Sequence, residues 1–230
     1  MTAALAILAA GSSSRLGQDK VLADLGGQPV LAWSLAAADA SGAFGETIVV
    51  APGPSLDRIA DAAARAGHRV RVIAGGATRT ASSWAALDAL PDADVICIHD
   101  AARPFVSPAL FSRAVEAARR SGSAVAGLPL AETVRRADEA GVSIEEVRRD
   151  GLWAAQTPQA FRRDLLARAR AAAGDRTYTD DAAAVTALGE TVVMIPGDRR
   201  NLKITTHEDL AYARELADKG LAAICAIVPR

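Results

Sequence analysis

The chain has 230 residues, and its 26 basic and 27 acidic side chains leave a formal net charge of −1. That balance, with only 4% aromatic residues, argues against a phosphate-backbone footprint or a base-stacking platform, so nucleic acid is not an expected partner. No apolar run reaches the roughly 18 residues a bilayer span needs, so a soluble protein with no membrane partner is expected. The length suits one domain over 1–230 with a small excursion. Half of the residues are hydrophobic, but 54 of them are alanine, which buries little area. Among the 26 basic residues, lysine occurs only at Lys20, Lys203 and Lys219; the rest are arginine. Each lysine is therefore a place where a compact ammonium stands instead of a guanidinium fork. Cys97 and Cys225 have neither metal-site nor redox spacing, which suits a reducing cytoplasm.

In chain order, short apolar runs predict strands over 5–9, 47–51, 70–74, 95–99, 124–128 and 191–195. Helical periodicity predicts helices over 30–40, 55–66, 82–90, 108–120, 164–173, 180–188 and 208–219. The early strands are apolar throughout instead of alternating, as a parallel sheet covered on both faces requires. The expectation is an α/β, three-layer, mostly parallel fold with its ligands at the carboxyl ends of the strands. The stretch 130–153 breaks the rhythm and reads as two extended segments joined through a loop at Gly141. Such an arm cannot bury itself and is expected to pack on a second copy as a homodimer. The tail 221–230 has no assigned role.

Three strand-edge segments carry chemistry. The first runs Leu8-Ala9-Ala10-Gly11-Ser12-Ser13-Ser14-Arg15-Leu16-Gly17-Gln18-Asp19-Lys20. Its small residues let backbone N–H groups approach a phosphate chain, and Arg15 and Lys20 supply positive charge there. The glycine spacing matches neither the P-loop nor the dinucleotide fingerprint, and alone the segment also fits a solvated serine-rich loop. The second is Gly75-Gly76-Ala77-Thr78-Arg79-Thr80-Ala81-Ser82-Ser83, where Gly76 permits close approach to a flat base and Ser82 offers a hydroxyl to its edge. An ordinary helix cap explains it equally well. The third is Val95-Ile96-Cys97-Ile98-His99-Asp100-Ala101-Ala102-Arg103-Pro104-Phe105. It delivers Asp100 to the sheet edge, where a lone carboxylate suits Mg2+ carried by a triphosphate. Ala101, like Ala9 and Ala10, is small where a nucleotide must touch backbone. His99 reads as a hydrogen-bonded structural histidine in preference to a general base, and Arg103 as a brace for Asp100 or the loop. Further on, Arg149, Thr157 and Lys203 are the residue types that hold a second phosphate. Asp180-Asp181 reads as a helix cap before a metal pair.

Taken in order, LAAGSSSRLG…K, GG…R…S, HDAARPFV, DGLWAAQTPQAF, TDDAAAV and NLKIT…EDL resemble the 2-C-methyl-D-erythritol 4-phosphate cytidylyltransferases of the non-mevalonate isoprenoid pathway, over about 3–219. The resemblance implies a Rossmann-like nucleotidyltransferase fold with a protruding dimerisation arm. It implies CTP and a sugar-alcohol phosphate as substrates and Mg2+ as cofactor. Leu8, Ala9, Ala10, Gly11 and Ser12 would cradle CTP, Gly76 and Ser82 would meet the base, and Asp100 would organise the metal. Arg15 and Lys20 would stabilise the transition state. Arg149 and Lys203 would position the acceptor phosphate beside Thr133, Thr157 and Thr179, with Thr133 and Arg149 serving the neighbouring subunit. Ala77 and Val21 depart from the family's usual polar residues at those positions. Ribitol 5-phosphate or another polyol phosphate is the alternative acceptor; a nicotinamide dehydrogenase is disfavoured by the missing GxGxxG.

Overall fold

The computed structural model describes residues 1–10 and 20–220. Gly11, Ser12, Arg15 and the 221–230 tail, all singled out above, lie outside the described residues. The first half of the chain forms β1 (Ala3–Leu8), β2 (Asp24–Leu25), β3 (Gln28–Pro29), α1 (Val30–Ser41), β4 (Glu46–Ala51), α2 (Leu56–Arg65), β5 (Arg71–Ala74), α3 (Arg79–Ala89) and β6 (Val95–Asp100). It continues through α4 (Pro108–Ser121), β7 (Ser123–Pro129), β8 (Val134–Ala137), β9 (Ser143–Val147), β10 (Trp153–Arg162), α5 (Arg163–Ala173), α6 (Asp181–Ala187), β11 (Met194–Pro196) and α7 (His207–Asp218).

Seven strands form the central sheet in the order β11-β7-β10-β6-β1-β4-β5. β1 runs parallel to β4 and β6, β4 to β5, and β7 to β11. This is the expected mostly parallel α/β architecture. All six residues of β1 are buried, yet they divide between two faces. Leu5 and Ile7 join a cluster with Leu31 and Leu35 of α1 and Phe111 of α4. Ala4, Ala6 and Leu8 join another with Leu87 of α3 and Leu166 of α5. Side chains alternate, but helices cover both sides, so the sequence reads as one apolar run. A third cluster of Leu25, Val30, Phe105, Ile204 and Leu210 fastens α7 and the segment before it to the β2–β3 hairpin.

Besides the β2–β3 hairpin, which no apolar run predicts, three elements depart from the sequence-based ones by more than a residue or two. β10 is absent from the strands that apolar runs predict, yet it enters the sheet antiparallel to both β6 and β7. Pro158 lacks the N–H a central strand needs, which hides it, and the β10–β7 register shifts between Ala155 and Gln159, around that proline. Second, α3 begins three residues before the expected 82, because Thr78 Oγ1 accepts the Ala81 N–H at 3.0 Å and caps the first turn. Third, β11 occupies Met194–Pro196 and not 191–195.

Within 130–153, β8 and β9 pair antiparallel and, among the described residues, only with each other, through cross-strand pairs such as Arg136–Glu145 at 2.6 Å. Gly141, at φ 81°, closes the turn in a backbone region open to glycine. Val142 and Ile144 are exposed on it.

Phe111 anchors the α4 side of the core, fully buried and edge-on to Phe44 at 5.4 Å and His99 at 5.1 Å. Phe111→Ala should cost about 3–5 kcal/mol, read as a lower urea midpoint with an unchanged m-value.

Candidate active site

Parallel pairing puts Leu8 of β1 beside Asp100 of β6 at one sheet edge. The edge is extended by backbone hydrogen bonds from Ala101 N–H to the Leu8 carbonyl (3.0 Å) and from Ala9 N–H to the Val50 carbonyl (2.7 Å). A cleft opens there. Leu8, Ala9, Ala10 and Ser82 form its walls, and Lys20, Arg79, Asp100 and Lys203 bring charge to it.

Asp100 lies at the centre. Its carboxylate is buried, with Oδ2 2.7 Å from Lys203 Nζ and Oδ1 3.4 Å from Arg79 Nε. Burial alone would raise its pKa, but Arg79 and Lys203 outweigh that and hold the carboxyl well below the usual carboxylate range. Asp100 therefore stays anionic at any pH at which the fold is useful.

Arg79 has no role in the reading of the sequence alone. A signal exists: a cation at the first position of a helix opposes the macrodipole and calls for acidic partners elsewhere. It has two, because Nη1 also meets Asp181 Oδ2 at 2.8 Å. Burial works against the guanidinium's charge, yet Asp181 and Asp100 raise its pKa overall. Asp180 is the expected cap, its Oδ1 accepting the Ala183 N–H at 2.8 Å. Asp181 is buried in the Arg79 ion pair and is no surface carboxylate.

Behind Asp100 runs a directional chain of hydrogen bonds. The Asp100 N–H donates to Thr157 Oγ1 at 3.0 Å, Thr157 Oγ1 is 3.0 Å from His99 Nδ1, and His99 Nε2 is 3.1 Å from the Arg103 carbonyl. A carbonyl only accepts, so Nε2 carries the proton and Nδ1 accepts from the Thr157 hydroxyl. In the neutral imidazole this tautomer leaves Nδ1 free to accept, and burial favours that neutral form. Burial, the largest influence, lowers the His99 pKa to about 4, against the attraction of Asp100. His99 is thus the structural histidine expected from the sequence.

Lys203 is held by the segment between β11 and α7. Asn201 Nδ2 donates to the Thr157 carbonyl at 2.7 Å, and Arg103 Nη1 donates to the Asn201 carbonyl at 2.7 Å. Gln156 grips the same segment, with Nε2 donating to the Asp198 carbonyl at 2.9 Å and Oε1 accepting the Asp198 N–H at 3.2 Å. Arg103 therefore braces the loop, as its sequence position suggests, and the irregular centre of β10 supplies the rest of the clamp.

The remaining sequence-selected residues sit differently. The Ser82 hydroxyl accepts the Gly76 N–H at 3.2 Å and donates to the Thr78 carbonyl at 3.0 Å, so it ties the turn together. A Cβ on Gly76 would fall 2.3 Å from Ala81 Cβ, which explains the glycine by packing alone. Ala101 is fully buried beneath the cleft, and Thr157 is buried behind Asp100. Thr133 and Arg149 are exposed at the roots of the arm, where Arg149 Nη1 donates to the Ala131 carbonyl. Thr179 is exposed just before α6. None of these last three lines the cleft of the single chain.

A family profile described as IspD, 2-C-methyl-D-erythritol 4-phosphate cytidylyltransferase, matches residues 3–218. The chain belongs to that family. Its relatives include the 2-C-methyl-D-erythritol 4-phosphate cytidylyltransferase of Salinibacter ruber (strain DSM 13855 / M31), 42% identical over 219 residues, 93% of this chain and 92% of the relative. The bifunctional enzyme IspD/IspF of Anaeromyxobacter sp. (strain Fw109-5) is 43% identical over 94% of this chain, which spans only 58% of that longer protein. Among solved structures, 4-diphosphocytidyl-2C-methyl-D-erythritol synthase from Anaerococcus prevotii DSM 20548 superposes with a TM-score of 0.82 at 28% identity, covering 94% of this chain and 98% of that one. The 2-C-methyl-D-erythritol 4-phosphate cytidylyltransferase of Thermus thermophilus gives 0.78 at 34% identity, covering 95% of this chain and 100% of that one.

The buried neutral imidazole has a measurable consequence. An unfolded histidine titrates near 6.5 but His99 only near 4, so between those values the unfolded chain binds the extra proton. Stability should therefore fall as pH drops from about 6.5 to about 4, by up to about 3 kcal/mol from this group. Urea titrations of His99→Gln should lose that part of the slope; an identical slope in the variant refutes the assignment.

Proposed function

We propose that the chain transfers a cytidylyl group from CTP to 2-C-methyl-D-erythritol 4-phosphate in isoprenoid precursor synthesis. The observation that carries this is the cleft at the carboxyl edge of the sheet, where Lys203 and Arg79 hold an ionised Asp100 and Lys20 lines the same space, in a chain of this family. An oxygen of the acceptor's phosphate monoester attacks the α-phosphorus of CTP in line. The bond from that phosphorus to the oxygen bridging to the β-phosphorus breaks, and pyrophosphate leaves. The attacking group is already anionic near neutral pH, so no side chain has to remove a proton. Neutral, buried His99 is thereby left a purely structural part. What remains is placement and charge neutralisation, which positioned cations supply.

Small Ala9 and Ala10 let the nucleotide approach the β1 backbone, and Lys20 and Lys203 neutralise phosphate charge. The donor set suits Mg2+: one anionic carboxylate with the remaining positions left to phosphate oxygens and water. Asp100 would hold the ion, which would supply further neutralisation of the triphosphate. Two chains would pair through the β8–β9 arms of a single domain spanning 1–230, bringing Thr133 and Arg149 to the neighbouring cleft. Cytoplasmic residence fits this role.

Pyrophosphate release with Mg2+ tests the reading when CTP, UTP, ATP and GTP are each crossed with methylerythritol phosphate and ribitol 5-phosphate. Release is expected with CTP and methylerythritol phosphate. Turnover with ribitol phosphate alone would move the acceptor assignment, and no release with any CTP pair would end the enzymatic one. Lys20→Ala should lower kcat by roughly 10²–10³-fold.

A further inference from the structure

Arg79 is shared unequally between its two carboxylates. Nη1 to Asp181 Oδ2, at 2.8 Å, is a full hydrogen bond, whereas Nε to Asp100 Oδ1, at 3.4 Å, is a long one. Nη2 is buried and has no hydrogen-bond partner among the described residues. Asp181 is thus the anchor of this side chain, and it is itself held firmly. Gln159 on β10 accepts the Ala182 N–H at 3.1 Å and donates to Asp180 Oδ2 at 2.9 Å, fixing the start of α6. Thr80 of α3 exchanges hydrogen bonds with the Tyr178 backbone at 2.9 and 3.2 Å, fixing the chain just before it. Both ends of the Arg79–Asp181 bridge are clamped by groups that do not line the cleft.

The asymmetry matters for Asp100. Lys203, on a flexible and partly exposed stem, already takes Oδ2 at 2.7 Å. A guanidinium released from Asp181 keeps Asp100 as its carboxylate partner among the described residues, and closing on Oδ1 would leave both Asp100 oxygens taken by cations.

We propose that Asp181 is a positioning residue for the nucleotide-bound cation: by taking Arg79 at Nη1 it holds the guanidinium at a long 3.4 Å contact with Asp100 Oδ1 and leaves that oxygen able to bind a divalent ion carried by the triphosphate. This rests on the cytidylyl-transfer reading, because it requires a triphosphate-borne cation at Asp100. Residues one shell out from a metal ligand commonly set its affinity by about 10–100-fold, and Asp181 does so through Arg79.

Calorimetric titration of CTP in excess Mg2+ and in EDTA, with no acceptor present, tests it without turnover. The ratio of the two Kd values measures the coupling between nucleotide and cation. The intact protein should bind CTP more tightly with Mg2+, and Asp181→Asn should shrink the ratio by roughly 10-fold. The double variant Arg79→Met/Asp181→Asn removes both charges of the buried pair, a replacement that folds commonly tolerate, and with no guanidinium left to close on Oδ1 its ratio should be at least as large as the intact protein's. A ratio in Asp181→Asn equal to the intact protein's, with only a lower Tm, makes the residue merely structural. A reduced ratio in the double variant overturns the route through Arg79, whether or not the single variant folds. Absence of CTP binding, or of any Mg2+ effect, in the intact protein instead brings down the cytidylyl-transfer reading together with this one.

Discussion

The structure turns on keeping one carboxylate charged where it is nearly out of water. Asp100 is buried at the end of a fully buried strand, a place that by itself favours the neutral acid. Lys203 and Arg79 reverse that preference, and the Thr157 hydroxyl occupies the backbone N–H beneath it. The three groups come from the β11–α7 segment, the first residue of α3 and the middle of β10. Much of what is irregular in this fold serves to bring them to one sheet edge. Removing a single partner from such a cluster leaves an uncompensated buried charge, which costs about 3–5 kcal/mol in comparable cases.

The antiparallel insertion of β10 is the main means. Between parallel halves of the sheet it carries a segment whose register breaks around Pro158, and that break leaves Gln156 and Thr157 outside the regular pairing with β7. Gln156 grips Asp198, while the Thr157 carbonyl accepts from Asn201 and its hydroxyl faces Asp100 and His99. One irregular strand centre thus positions the loop bearing Lys203 and fixes the tautomer of the histidine behind the site. A regular strand would have spent the Thr157 carbonyl on its ladder.

What the sequence makes legible follows from which forces are local. Apolar runs at β1, β4 and β6, the cap at Asp180 and the turn at Gly141 all express near-neighbour physics, and each appears in the structure. Asp100 and Lys203 are legible because strand-edge position and a rare lysine both point to them. β10 is hidden because its proline and two glutamines contradict strand propensity; it is stabilised by neighbours on both sides instead. Arg79 is hidden for a different reason. Its partners lie 21 and 102 residues away, and no periodicity reports an ion pair across that distance.

The scarcity of lysine bears on the same site. Where a fork spans two acids, arginine is the better residue, and Arg79 uses separate nitrogens to reach Asp181 and Asp100. Where a cation must leave one anion for another, a point charge on a four-carbon stem is better, because it has no paired geometry to break. Lys203 sits at 40% side-chain exposure with its ammonium on Asp100, and Lys20 lines the same cleft. Two of the chain's three lysines therefore stand where an incoming phosphate would compete for the cation, while the arginine beside them is locked by a buried partner. In the proposed reaction, the division between the two residue types would separate the cations that change partners from the one that stays in place.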